Sequence, residues 1–115
     1  MTDATILIPT FRHVPLVSFS VQSALDQAGV SVEVIVIGDG VEDATREVLA
    51  EFADDPRFRF FDYPKSPRNG EPYRHEVLHE AAGRIVCYIC DDDLLLPGHA
   101  AEMARLLEDV DFAHA

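Results

Sequence analysis

Val32-Glu33-Val34-Ile35-Val36-Ile37-Gly38-Asp39-Gly40 decides the fold. A strand wet on one face alternates apolar and polar residues, whereas a parallel strand covered on both faces is apolar nearly throughout. Val32–Ile37 is therefore read as an interior strand, and Gly38-Asp39-Gly40 as the turn at its carboxyl end. Upstream, Val14–Ala28 sets Val17, Val21, Ala24, Leu25 and Ala28 at the spacing of one helix face, and Gly29 ends that helix. Before it, Ala4–Ile8 is a short apolar run stopped by Pro9. Downstream, Asp43 is placed to cap a helix over Ala44–Ala53, which shows Val48, Leu49 and Phe52 on one face. Arg57–Asp62 alternates as a third strand, and Tyr63–Asn69 is a loop with two prolines. Glu71–Ala82 reads as helix, Ile85–Cys90 as a fourth strand, Pro97–Glu108 as helix and Val110–His114 as the start of a fifth strand.

Strands alternating with helices predict an α/β fold: a Rossmann-like, mainly parallel sheet with helices on both faces. The 115 residues are expected to form one domain, 1–115, with no repeat and no Gly/Ser-rich linker. With 48% apolar residues the chain can bury a core. Nine Lys and Arg against 21 Asp and Glu give a net charge of -12, which excludes nucleic acid and anionic membrane as expected partners and suits cations. No apolar run reaches the ~20 residues that span a bilayer, and the start lacks the pattern of a secretory signal. With only 2 Cys there is no disulfide framework, and the expected location is cytoplasmic. A sheet ending in a fifth strand would leave an edge able to pair with a second copy.

Ligands of open parallel sheets bind outside the carboxyl ends of the strands. The loops on that edge carry the unusual polar residues: Pro9-Thr10-Phe11-Arg12, Gly38-Asp39-Gly40, the segment leading to Arg74, and Asp91-Asp92-Asp93. Adjacent carboxylates repel, by about 4 kcal/mol at 4 Å and an effective dielectric of ~20. A divalent cation removes that repulsion, and hard carboxylate oxygens favour Mg²⁺, Mn²⁺ or Ca²⁺ over Zn²⁺. The alternative is a solvated acidic turn before the Pro97 helix.

Four stretches of the chain resemble family 2 glycosyltransferases. Thr5–Arg12 (TILIPTFR) is similar to their opening "VIIPTYNR", and Val34–Gly40 to their "EVIVVDDGS". Arg74 falls where the arginine of their "ARN" falls, and Gly83–Pro97 is similar to "GEYIAFLDDDDLWLP". The resemblance implies the nucleotide-binding half of a GT-A fold, with transfer of a sugar from a nucleotide diphosphate donor, usually UDP-linked, with inversion. It also implies that Thr10 and Asp39 contact base and ribose, that Arg74 contacts base or diphosphate, and that Asp91 lies near the ribose. Asp92 would ligate Mn²⁺ or Mg²⁺, with Asp93 as a helper. Gly38 and Cys90 stand where the family pattern has Asp. The family's catalytic base and acceptor site come from a segment beyond the fifth strand, so the base is expected outside this chain. The acceptor is not specified. A non-catalytic nucleotide-binding or assembly module is the rival reading.

Other patterns point elsewhere. His75-Glu76-Val77-Leu78-His79 matches the H-E-x-x-H zinc metallohydrolase pattern, with His99 or Glu102 as a distant third ligand. Its helix is a short crossover whose apolar face is centred away from the histidines. Cys87-Tyr88-Ile89-Cys90 matches C-x-x-C, but a strand points positions i and i+3 to opposite faces, so two buried thiols are expected. Lys65 and Arg68 are read as solvated, on the ligand edge and within reach of a phosphate. A receiver-like phosphoacceptor domain would need acidic residues after the first and third strands and a Lys after the fifth, which this chain lacks.

Overall fold

A computed structural model describes residues 1–114. Four strands, β1 (Ala4–Thr10), β2 (Val32–Asp39), β3 (Phe58–Tyr63) and β4 (Ile85–Tyr88), alternate with four helices. These are α1 (Leu16–Leu25), α2 (Asp43–Ala50), α3 (Glu71–Leu78) and α4 (His99–Leu106). The sheet order is β3-β2-β1-β4 and every pairing is parallel. The α/β, Rossmann-like expectation holds.

The pleat divides each strand between two cores. Ala4, Ile6, Ile8, Val32, Val34, Val36, Phe58 and Cys87 meet Val17, Val21, Leu49, Ala100 and Met103 of α1, α2 and α4 on one face. Leu7, Ile35 and Ile37, with Phe61, Tyr63 and Val86, meet Val77 and Tyr73 of α3 on the other. Helices therefore cover both faces, and Val34–Ile37 of β2 is apolar because both its sides are buried.

Pro9 does not stop β1, which continues to Thr10 opposite Gly38. Asp3 O, just before β1, and Leu7 O accept bonds from the amides of Ile85 on β4 and of Ile89 just after it, so odd-numbered residues here direct their backbone groups to that side. β4 stops at Tyr88, so the nitrogen of Pro9 lies beyond the ladder and no bond is lost.

Other boundaries move as well. α1 ends at Leu25, and Gly29, with φ 81°, lies in the following turn, where Ala28 N donates to Pro97 O at 2.8 Å. α2 begins at Asp43, after Glu42, without a side-chain cap, and Asp43 instead accepts from Arg46 Nη1 at 2.8 Å. The expected fifth strand is corrected. Residues 110–114 are irregular, with Val110 and Phe112 exposed, and the segment takes no place in the order β3-β2-β1-β4. The outer edges of the sheet therefore belong to β3 and β4. No helix among the described residues is long and apolar enough to cross a membrane.

At the amino-terminal end of the strands, a polar group interrupts the α3-side core. Thr5 Oγ1 donates to Glu33 Oε2 at 2.6 Å, and Arg59 Nη2 reaches Glu33 Oε1 at 3.1 Å. Arg59 also donates to Glu80 O, and Gly83 N donates to Thr5 Oγ1 at 2.9 Å. Gly83 is needed there for close approach, since a Cβ on it would lie 2.3 Å from Thr5 N. Arg59 thus ties the segment after α3 to the sheet.

Candidate nucleotide site at the carboxyl edge

The carboxyl ends of β1, β2 and β4 and the loop after β3 enclose a pocket of about 420 Å³. Thr10, Asp39, Arg74 and Asp91, the residues expected to contact nucleotide, all line it. Phe11, Arg12, His13, Lys65, Arg68, Asn69 and Gly70 complete most of the wall. Four of the nine Lys and Arg residues of this acidic chain thus converge on one hollow.

Each side chain is held by an identifiable local feature. Thr10 ends β1 and donates from Oγ1 to Asp91 Oδ2 at 2.8 Å. Asp91 follows β4, is buried, and also lies 2.6 Å from His13 Nδ1 through Oδ1. The hydrogen bond to Asp91, reinforced by its charge, raises the pKa of His13 above its ordinary value. Asp39 ends β2 and accepts from Ser66 N at 2.6 Å, Ser66 Oγ at 2.9 Å and Lys65 Nζ at 3.1 Å. Burial opposes ionisation of Asp39, but the Ser66 amide and hydroxyl and the Lys65 ammonium outweigh it and hold the carboxyl below its usual range. Lys65 is thus not a free solvated cation. Nζ also donates to the carbonyls of Ser66 and Arg68.

Arg74 reaches the pocket because α3 is docked by an aromatic stack. Tyr73 lies against Tyr63 with ring centroids 4.2 Å apart and nearly parallel planes, and its hydroxyl donates to Pro64 O. Arg74 Nη1 donates to Asn69 O at 2.6 Å. On the opposite wall, Arg12 and Lys65 both approach the Phe11 ring, at 4.7 and 5.2 Å from its centroid.

Asp92 and Asp93 are exposed beside the pocket. Ligand atoms of His13, Asp91 and Asp92 lie within 4.8 Å of one another, as do those of Cys90, Asp92 and Asp93. Asp92 belongs to both groups. Hard carboxylate donors so spaced fit a Mn²⁺ or Mg²⁺ ion. Cys90 is exposed rather than buried, a correction, because β4 ends at Tyr88 and strand alternation no longer governs its direction. Partial desolvation and the neighbouring carboxylates push its thiol pKa up, so it carries its proton at neutral pH.

Gly38, in place of an Asp, has a steric cause. A Cβ there would lie 2.8 Å from Phe60 Cε1 and 3.1 Å from Val41 Cγ1, so the Phe60 ring occupies the room. The zinc pattern does not assemble. His75 and His79 sit edge to face, 5.3 Å apart, on the α3 side of the sheet. His99 and Glu102 belong to α4, which packs on the other face. Among the described residues no three-ligand group includes either α3 histidine. Sequence reasoning missed His13 and Ser66. An Arg-His pair directly after the first strand was the available signal for His13, whereas nothing local marks Ser66. A second hollow of about 380 Å³ lies between α2 and β3, and its charged residues, Arg46 and Asp62, pair with each other at 2.7 Å.

The fold and pocket define a Rossmann-like α/β protein with a cation-lined pocket over an acidic floor at the carboxyl edge of its sheet. Residues 5–115 match the model of Glycosyl transferase family 2, and the chain belongs to that family. It is 31% identical over 102 residues to the GalNAc(5)-diNAcBac-PP-undecaprenol beta-1,3-glucosyltransferase of Campylobacter jejuni, covering 85% of this chain and 32% of that protein. It is 30% identical over 113 residues to the succinoglycan biosynthesis protein ExoO of Rhizobium meliloti, covering 98% of this chain and 31% of ExoO. The chain thus spans about a third of the length of these relatives. Among solved structures, S. aureus TarS 1-349 in complex with UDP-GlcNAc superposes with a TM-score of 0.80 at 19% identity, over 93% of this chain and 31% of that one. A mannosyltransferase from Pyrobaculum calidifontis, in complex with GDP-Man and Mn²⁺, gives 0.76 at 21% identity, over 96% of this chain and 35% of that one. These likenesses show the GT-A fold.

Proposed function

We propose that residues 1–115 form the nucleotide-diphosphate-sugar-binding part of an inverting glycosyltransferase that uses a UDP-sugar donor and a divalent metal. The observation that carries this reading is the convergence of Arg12, Lys65, Arg68 and Arg74 on one pocket of a chain with net charge -12. Cations gathered against the overall charge suit a diphosphate. The named ligands of the structural neighbours, UDP-GlcNAc and GDP-Man, are of the same chemical class.

In this reading Thr10 and Asp39 contact base and ribose, Asp91 lies near the ribose, and Arg74 meets base or diphosphate. Asp92 holds the ion, with Asp93 as helper. A bound Mn²⁺ or Mg²⁺ supplies neutralisation of the diphosphate and of the charge that develops on the departing nucleotide. The arginines and Lys65 add fixed positive charge where that charge grows, with little reorganisation. A general base must lie within hydrogen-bond reach of the acceptor hydroxyl. Asp39 and Asp91 already accept bonds from Ser66, Lys65, Thr10 and His13. The base is therefore assigned outside these pocket residues, and transfer to the whole protein, acting in the cytoplasm.

A thermal-shift panel of UDP, GDP and dTDP with Mn²⁺ or EDTA tests the reading. A ligand of the native state at 100 times its Kd adds about 2.7 kcal/mol of stability. UDP with Mn²⁺ is expected to give the largest rise and EDTA to reduce it. No shift with any nucleotide would refute nucleotide binding. A shift accompanied by no transfer in the whole protein would support the non-catalytic module instead.

A further inference from the structure

We propose that His13 is a positioning residue of this site, which locks the Asp91 carboxylate in one orientation and so sets the geometry of the Asp91–Asp92 edge toward the bound nucleotide. The inference rests on the nucleotide-binding reading above and adds a residue that the family resemblance did not single out.

Asp91 is buried, with 6% of its surface exposed, so little of its hydrogen bonding is left to water. Rotation of a carboxylate about its last bond is soft. The Thr10 hydroxyl on Oδ2 alone would leave the group free to swing about that contact. His13 Nδ1, 2.6 Å from Oδ1, supplies the second point and fixes the plane. Because an ionised carboxylate only accepts, the ring donates from Nδ1.

The two anchors come from different elements. Thr10 is paired within β1, opposite Gly38. His13 lies in the segment between β1 and α1, and its carbonyl accepts from Val17 N at 2.8 Å, within the first turn of α1. The Asp91 carboxylate is thereby referenced to a strand and a helix at once. His13 is half exposed and lines the pocket, and its Nε2 has no hydrogen-bond partner among the described residues. Ligand atoms of His13, Asp91 and Asp92 lie within 4.8 Å of one another, so a swing of Asp91 would alter the acidic edge as well.

The test is titration calorimetry of the full 115-residue chain with UDP and Mn²⁺, alongside thermal melts. His13→Ala removes the donor, and a charge-assisted hydrogen bond of this kind corresponds to about a tenfold or greater loss of affinity. In His13→Asn the side-chain amide stands near the position of Nδ1, so affinity close to wild type is expected. In an Asp91→Ala background, His13→Ala should add no further loss, because the residue acts through Asp91. Unchanged affinity in His13→Ala, equal losses in the Ala and Asn variants, or full additivity with Asp91→Ala would each overturn the assignment. A wild-type chain that binds no nucleoside diphosphate refutes the functional reading and this role with it. A binding wild type with an indifferent His13→Ala refutes the role alone.

Discussion

Asp39 accepts two hydrogen bonds from Ser66, one from the amide at 2.6 Å and one from the hydroxyl at 2.9 Å. Ser66 Oγ accepts in turn from Gly70 N at 2.9 Å, immediately before α3 begins at Glu71. Gly70 adopts φ 76°, which turns the chain into the helix, and a Cβ there would lie 3.2 Å from Asp39 Oδ2. The carboxyl end of β2 therefore sets where α3 starts, and with it the place of Arg74 in the pocket.

Ser66→Ala leaves Gly70 N without its acceptor and Asp39 one bond short. Loss of a buried partner costs about 1–3 kcal/mol. Urea denaturation should show that loss, and nucleotide affinity should fall with it because the start of α3 loosens. Wild-type stability and affinity together in this variant would dismiss the link from Asp39 to α3.

Asp92 is an exposed turn residue, so Asp92→Ala should fold as well as wild type. The variant should lose the Mn²⁺-dependent part of the UDP-induced rise in melting temperature and keep the part seen in EDTA. Equal rises for variant and wild type in Mn²⁺ would remove Asp92 from the proposed metal site.

Glu33 lies away from the pocket and reports on the fold through pH. Burial raises its pKa, but the Thr5 hydroxyl, the Ala82 amide and Arg59 outweigh that effect and hold the carboxyl below its ordinary value. A lowered folded-state pKa adds stability that is present above the unfolded value and disappears as pH falls through the folded one. Glu33→Gln should therefore lose about 1–3 kcal/mol near neutrality. The gap to wild type should close in acid, below the ordinary glutamate range. A pH-independent gap in melting temperature would speak against an ionised Glu33 in the network.

Gly38→Asp restores the family pattern at a position whose space is taken. The new Cβ, 2.8 Å from Phe60 Cε1, forces the ring aside, and such overpacking costs about 1–3 kcal/mol. In a Phe60→Leu background the same substitution should cost less, a coupling that denaturation of the four variants measures. Equal costs in both backgrounds would exclude the Phe60 ring as the reason for glycine.

The double variant His75→Ala, His79→Ala should keep Mn²⁺-dependent nucleotide binding, since neither residue lines the pocket. Elemental analysis of the wild type should find no stoichiometric zinc. One zinc per chain, lost in the variant, would reopen the metallohydrolase reading.

The order of elements, the parallel sheet and the functional edge were legible in the amino-acid sequence because they are local or periodic. The nearly continuous apolar run Val32–Ile37 reports burial on both faces, and Val17, Val21, Ala24 and Leu25 report one helix face whatever they meet. Thr10, Asp39, Arg74 and Asp91 could be brought to one edge from strand direction alone, because parallel strands end on the same side. Only the tertiary structure decided what happens there. Thr10 and Asp91 are 81 positions apart, and Asp39 and Ser66 are 27 apart, so no window of sequence contains either pair. Pro9 remains in β1 because β4 stops first, and Gly38 is required because Phe60, on another strand, fills its space. Residues 110–114, read as strand from their own pattern, are irregular in the fold. Strand formation and carboxylate orientation depend on partners brought together by the fold. Periodicity records which side of an element is buried but not which atom lies opposite.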